Sequence, residues 1–190
     1  MKSVNLADVQ EAGLGGDQLA AGGYVCKYTS VEDFGDKQYL YMEFDIAEGE
    51  HKGYFADLEK RANFWGGKCY RSYKEKALPM FKRMCSAVSK SNPGFIFDGG
   101  KQNADEKTLV GKQVGIILGE EEYLKNNGDV GTRLYVYAEC DVALIRKGDF
   151  KVPKKKTLVN NDKATETQQG DSIPGFLNVP DGVMESLPFN

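Results

Sequence analysis

Apolar positions in the first third of the chain recur every second residue. In "QYLYMEFDIA", Leu40, Met42, Phe44 and Ile46 fall on one face and Tyr39, Tyr41, Glu43 and Asp45 on the other. A period of two with one apolar face predicts a half-buried strand. The preceding "YVCKYTSVE" is rich in β-branched and aromatic residues and predicts another, with "DFGDK" as the turn between them. The turn "EGEHKG" then leads to a third short strand expected near Tyr54 to Leu58, completing an antiparallel meander.

The period changes after residue 72. Ser72 and Glu75 have the spacing of a capping box, although Pro79 suits only the first turn of a helix. In "PMFKRMCSAVSKSNPG", Phe81, Met84, Cys85 and Val88 recur at i, i+3, i+4 and i+7, and Asn92-Pro93-Gly94 stops the helix. Two further strands are expected in "TLVGKQVGIIL" and "TRLYVYAECDVALI", joined by "GEEEYLKNNGDVG" with its strong turn residues. The order β-β-β-α-β-β is that of a mainly β, five-stranded OB-fold barrel, with a split α+β sheet as the alternative.

Composition divides the chain into three. Residues 1–21 are small, polar and Gly-rich, and read as a flexible leader. Residues 22–152 form the barrel domain. Residues 153–190 read as a linker and tail, because "PKKKTLVNNDKATETQQGDS" has almost no apolar content. Residues 162–190 carry Asp162, Glu166, Asp171, Asp181 and Glu185 against Lys163, a net −4. The whole chain is at −3, so residues 1–161 stand at +1 and the acidity belongs to the tail.

No apolar run approaches the roughly twenty residues that span a bilayer, and the start lacks a signal-peptide block. A soluble, cytoplasmic protein with no membrane partner is expected. The four cysteines are scattered, no C-x-x-C pair occurs and His51 is the only histidine, which argues for reduced thiols and against a zinc site. There is no phosphate-binding Gly-rich loop, dinucleotide fingerprint or G-x-S-x-G, so no cofactor and no enzyme activity is expected. The acids Asp45, Glu48, Glu50 and Asp57 keep a metal-dependent nuclease as a minor alternative.

One stretch stands apart. "KRANFWGGKCYRSYKEK", residues 60–76, sets Phe64, Trp65, Tyr70 and Tyr73 among cations. Over residues 59–83, Lys60, Arg61, Lys68, Arg71, Lys74, Lys76, Lys82 and Arg83 stand against Glu59 and Glu75, a local +6. Binding a single strand without sequence preference needs cations to track phosphates and flat rings to stack on bases. Gly66-Gly67 would let the backbone approach a ligand closely. If the even-numbered residues of the second strand fill the barrel, Tyr39 and Tyr41 project outward, as Tyr135 does from the last strand. The candidate DNA-binding residues are therefore Lys27, Tyr39, Tyr41, Lys60, Arg61, Trp65, Lys68, Tyr70, Arg71, Tyr73, Arg133 and Tyr135. Trp65 reads equally as stacking platform or core. In the tail, Phe176, Leu177, Leu187, Pro188 and Phe189 are candidates for docking on a partner protein.

The chain resembles single-stranded DNA-binding proteins encoded by bacteriophages and mobile elements of Gram-positive bacteria. The similarity lies in "GGY" opening a strand, "YLYMEFDIAEGEHKGYF", the helix ending at "NPG", and "GTRLYVY…VALIRKGDFKVPKKK", across roughly residues 22 to 156. It implies an OB barrel that coats single strands during phage DNA replication or recombination, in the host cytoplasm. The ending "MESLPFN" is similar to the acidic C-terminal tip of bacterial single-stranded DNA-binding proteins, which finishes in Pro-Phe, although here Asn190 follows. That similarity implies replication or recombination proteins as partners of the tail. The expected function is non-sequence-specific single-stranded DNA binding, by phosphate contacts and base stacking. The alternative is a recombination-accessory, protein-interaction module acting through the tail. Sheet edges permit a homodimer without requiring one.

Overall fold

The computed structural model describes residues 19–158. Strands and helices follow in the order β1 (Gly22–Phe34), β2 (Tyr39–Ile46), α1 (Tyr54–Ala62), β3 (Lys68–Ser72), α2 (Leu78–Ser91), β4 (Gln113–Leu124), β5 (Val130–Cys140) and α3 (Val142–Lys147). The strands form one antiparallel sheet in the order β3-β2-β1-β4-β5. Its edges, β3 and β5, share no backbone pairing, so the sheet is open where a closed barrel was expected.

The alternation in β2 is realised. Leu40, Met42, Phe44 and Ile46 are all buried, and fully burying a side chain of this size contributes about 1.5–3 kcal/mol. Across the register, Cys69 faces Met42 from β3, while Cys26, Tyr28 and Val31 face Ile46, Phe44 and Met42 from β1. A bulge between Tyr28 and Ser30 lets β1 keep all three of its residues inward despite their uneven spacing. Helix α2 buries Phe81, Met84, Cys85, Ala87 and Val88 against the same core. Asn92 ties its end to β4, donating to the Val88 and Gln113 carbonyls and accepting from the Gln113 N–H.

Four local expectations are corrected. Residues 54–58 are helical, not a third strand. Phe55 and Leu58 share a helical spacing toward the core, and the Asp45 carboxylate accepts from the N–H groups of Phe55 and Ala56, anchoring the helix start from β2. The third strand is instead "KCYRS", inside the basic stretch. The Ser72–Glu75 capping box does not form, because Ser72 ends β3 and its hydroxyl donates to the Gln38 carbonyl; α2 starts later, with Pro79 in its first turn.

Both later strands also change their bounds. β4 runs through the three glutamates assigned to a loop. β5 stops at Cys140, after which the Asp141 carboxylate accepts from the Ala143 N–H and starts α3. The stretch from Pro153 does not begin as a free linker either. Lys156 pairs with β4, donating its N–H to the Glu120 carbonyl and accepting from the Glu122 N–H.

Candidate nucleic-acid interface

The register that turns Leu40, Met42, Phe44 and Ile46 inward turns the intervening residues to the opposite face. There Phe34, Tyr39 and Ser72 form one cross-strand row, Glu32, Tyr41 and Tyr70 the next, and Ser30, Glu43 and Lys68 a third. The rings of the first two rows touch. Phe34 stacks on Tyr39 with centroids 5.0 Å apart and planes 15° from parallel. Tyr70 meets Tyr39 edge-on at 5.7 Å and Tyr41 at a tilt at 5.2 Å. The result is a continuous aromatic surface over β1, β2 and β3.

Accessibility within it is uneven. Tyr39 lies on the expected face but is only 7% exposed, because Phe34 and Tyr70 cover it; it supports the platform rather than presenting a free ring. Tyr70 is 45% exposed and Tyr41 half-buried. The Tyr41 hydroxyl donates to Glu43 at 2.8 Å. Burial, and then that hydrogen bond, pushes the Tyr41 phenol well above its ordinary range; burial and the neighbouring Tyr39 push Tyr70 up as well.

The loop before β3 supplies the flank. Phe64 is 43% exposed, with the Lys68 ammonium 5.5 Å from its ring centroid. Trp65 is half-buried: its ring leans on Phe55 at 6.4 Å and its indole N–H donates to the Gly67 carbonyl at 2.9 Å. Trp65 is thus partly buried and packed against the core. Gly67 does make a close backbone approach, but to the protein itself. A Cβ there would lie 2.1 Å from the Phe44 carbonyl, and the Gly67 carbonyl accepts from the Phe44 N–H.

Arg71 is the main correction among the candidates. It was expected at a phosphate and is 4% exposed. Opposite Leu40, it faces inward, where its guanidinium meets Glu139 of β5 at 2.5 Å and also donates to the Tyr70 carbonyl. Burial opposes the Arg71 charge, but Glu139, with Cys69 and Tyr28 adding to it, outweighs burial and holds the pKa up. This pair joins the two edges of the open sheet through side chains.

The remaining candidates are dispersed. Lys27 is exposed on β1, opposite Asp45. Lys60 and Arg61 are exposed at the end of α1, beside a polar cleft of about 390 Å³ that also includes His51 and Lys52. Tyr73 is half-buried, its hydroxyl donating to Asp33 at 2.9 Å and its ring edge-on to Phe81. Arg133 and Tyr135 lie on β5, where Arg133 pairs with Glu121 at 2.8 Å and the Lys156 ammonium sits 4.1 Å from the Tyr135 ring centroid. Ile145 of α3 and Phe150 cover the sheet at Gly23, on β1 between these two surfaces. Phe176, Leu177, Leu187, Pro188 and Phe189 lie outside the described residues.

Phe34 and Phe64 were not among the predicted residues. Phe34 could have been found by extending the outward alternation back across the turn from Tyr39. Phe64 had only its place beside Trp65 to mark it. The acids of the nuclease alternative have other partners: Asp45 anchors α1, Asp57 pairs with Lys60, and Glu48 holds Arg146 and Gln113. Among the described residues no group of three or more His, Cys, Asp or Glu is arranged to hold a metal ion. No protein-family model matches this chain, and no curated protein is significantly similar to it.

Proposed function

We propose that this protein binds single-stranded DNA without sequence preference, in phage-type DNA replication or recombination, through the outer face of β1, β2 and β3. The observation that carries the reading is the contiguous aromatic platform of Phe34, Tyr39, Tyr41 and Tyr70, flanked by Phe64 and Lys68. Tyr70 and part of Tyr41 keep ring surface open to solvent, and stacked bases would cover it. The strand order, with α2 between β3 and β4, supports this reading because it is compatible with an OB-fold, in which the second and third strands serve as the oligonucleotide face. In this reading the Arg71–Glu139 pair takes the place of backbone pairing at the barrel seam.

Stacking would supply about 1–3 kcal/mol per base and cations a salt-sensitive background. Neutralising about five phosphates gives a slope near −3.5 for log K against log salt, at roughly −0.7 per contact. The test is a titration with oligo-dT, with RNA and duplex DNA alongside, at two or more salt concentrations. Tight, salt-sensitive binding to the single DNA strand is expected. No such binding, or equal affinity for duplex, rejects the proposal.

A further inference from the structure

The segment 150–158 is a strap laid on β4. Its backbone pairs at Lys156, and the Leu158 N–H donates to the Glu122 carboxylate at 3.2 Å. The Lys155 ammonium lies 3.1 Å from Glu122 and that of Lys156 lies 3.9 Å from Glu121 while covering Tyr135. The lysine's hydrogen bond, and then the Leu158 N–H, holds the Glu122 carboxyl below its ordinary range. The seat is shaped for the strap: a Cβ on Gly119 would come 2.7 Å from Pro153 and 2.9 Å from the Tyr135 ring.

Charge explains what the strap changes. Residues 119–135 carry Glu120, Glu121, Glu122 and Asp129 against Lys125 and Arg133, a net −2 along the segment, with Glu121 already paired to Arg133. The strap brings Lys151, Lys154, Lys155 and Lys156, which takes the combined charge of the two segments to +2. Lys155 and Lys156 are engaged by the glutamates. Lys151 and Lys154 are exposed and make no ion pair among the described residues.

We infer that the strap is a charge-reversing element that extends the single-strand track onto the outer face of β4 and β5. Lys155 neutralises Glu122, Lys156 joins Arg133 at Glu121, and Lys151 and Lys154 contact phosphate. Tyr135 is then the seat of the strap rather than a stacking ring. This inference rests on the single-strand binding proposed above.

The test titrates oligo-dT into the full chain and three variants over a salt series. Lys151→Gln/Lys154→Gln is expected to make the salt slope shallower by about 1.4, two contacts at roughly 0.7 each. Lys155→Gln/Lys156→Gln unmasks Glu122, leaves Glu121 with Arg133 alone, and is expected to weaken low-salt binding about tenfold. Adding Glu121→Gln/Glu122→Gln to that variant removes the repulsion and is expected to bring affinity back to within about threefold of wild type. An unchanged slope in the first variant overturns the inference, as does a four-fold variant still as weak as the two-fold one. Should Lys155→Gln/Lys156→Gln fail to fold, Gly119→Ala unseats Pro153 without altering any charge. Loss of affinity is expected there too, and wild-type binding by a folded Gly119→Ala protein counts against the strap. If the wild type itself does not bind, the single-strand reading fails and the strap's role falls with it; if only the variants behave as wild type, the strap alone is refuted.

Discussion

On the inner face of β2 and β3, a charged arginine sits among Leu40, Met42 and Cys69; on the outer face of the same strands, tyrosines lie where polar residues usually face water. The two faces invert the ordinary antiparallel pattern, and each inversion has a local cause. Inside, β3 and β5 do not pair by backbone, so Arg71 and Glu139 join them, each supplying the other's countercharge. Outside, Phe34 and Tyr70 cover Tyr39, while Tyr70 and part of Tyr41 stay open to solvent. Charge buried inward is thus a matter of architecture here, and the rings turned outward are those the proposed single-strand binding would use.

Breaking the inner face should have the largest effect. Arg71→Met leaves Glu139 buried without its countercharge and is expected to cost about 3–5 kcal/mol of unfolding free energy, as is Glu139→Leu. The double variant replaces both charges with apolar groups, so it should be less destabilised than either single one. Urea denaturation of all three decides the matter. A double variant as unstable as the two singles added together would mean that the pair does not act as a unit.

The outer face should respond in the opposite way. Tyr70→Ala removes the most exposed ring of the platform and should lower oligo-dT affinity by about 1–3 kcal/mol, with Tyr41→Ala comparable or smaller because Tyr41 is less accessible. Neither truncation should move the urea midpoint as far as Arg71→Met does. Lys68→Gln, with its ammonium near Phe64, should do less still, flattening the salt slope by about 0.7. A Tyr70→Ala protein that binds normally would show that the platform is not the stacking surface.

The sequence made the outer face more legible than the inner one. Period two in β2 identified the inward set and, by elimination, the orientation of Tyr39 and Tyr41. The same reasoning misplaced Arg71, because its strand was assigned to the helical residues before it and a basic run reads as solvated surface. Only the register opposite Leu40, and Glu139 brought near from a strand 68 residues away in sequence, reveal that this cation is interior. Residues 54–58 misled for a similar reason: the carboxylate that anchors α1 comes from Asp45, outside any local capping pattern. The strap was hidden by composition alone. "PKKK" has no apolar content to predict docking, and its complement "EEE" lies some thirty residues earlier in the chain.

An exposed pair of the same chemistry sharpens the contrast and should give the smallest effect. Glu48 accepts two hydrogen bonds from Arg146 and one from Gln113 on the open surface. The Arg146 hydrogen bonds lower the Glu48 pKa from its ordinary 4.5. A carboxyl depressed in the folded state contributes stability above its unfolded pKa and loses it as pH falls through the folded value. Glu48→Gln is therefore expected to melt slightly below wild type at neutral pH, with the difference holding down to the ordinary carboxylate range and closing beneath it. Added salt should shrink the neutral-pH difference, since solvent and ions already screen a pair this exposed. The Arg71→Met deficit should change little under the same salt, because no ions reach that site. If both deficits fell together with salt, the inner pair would be hydrated after all, and the division between architectural and surface charge would collapse.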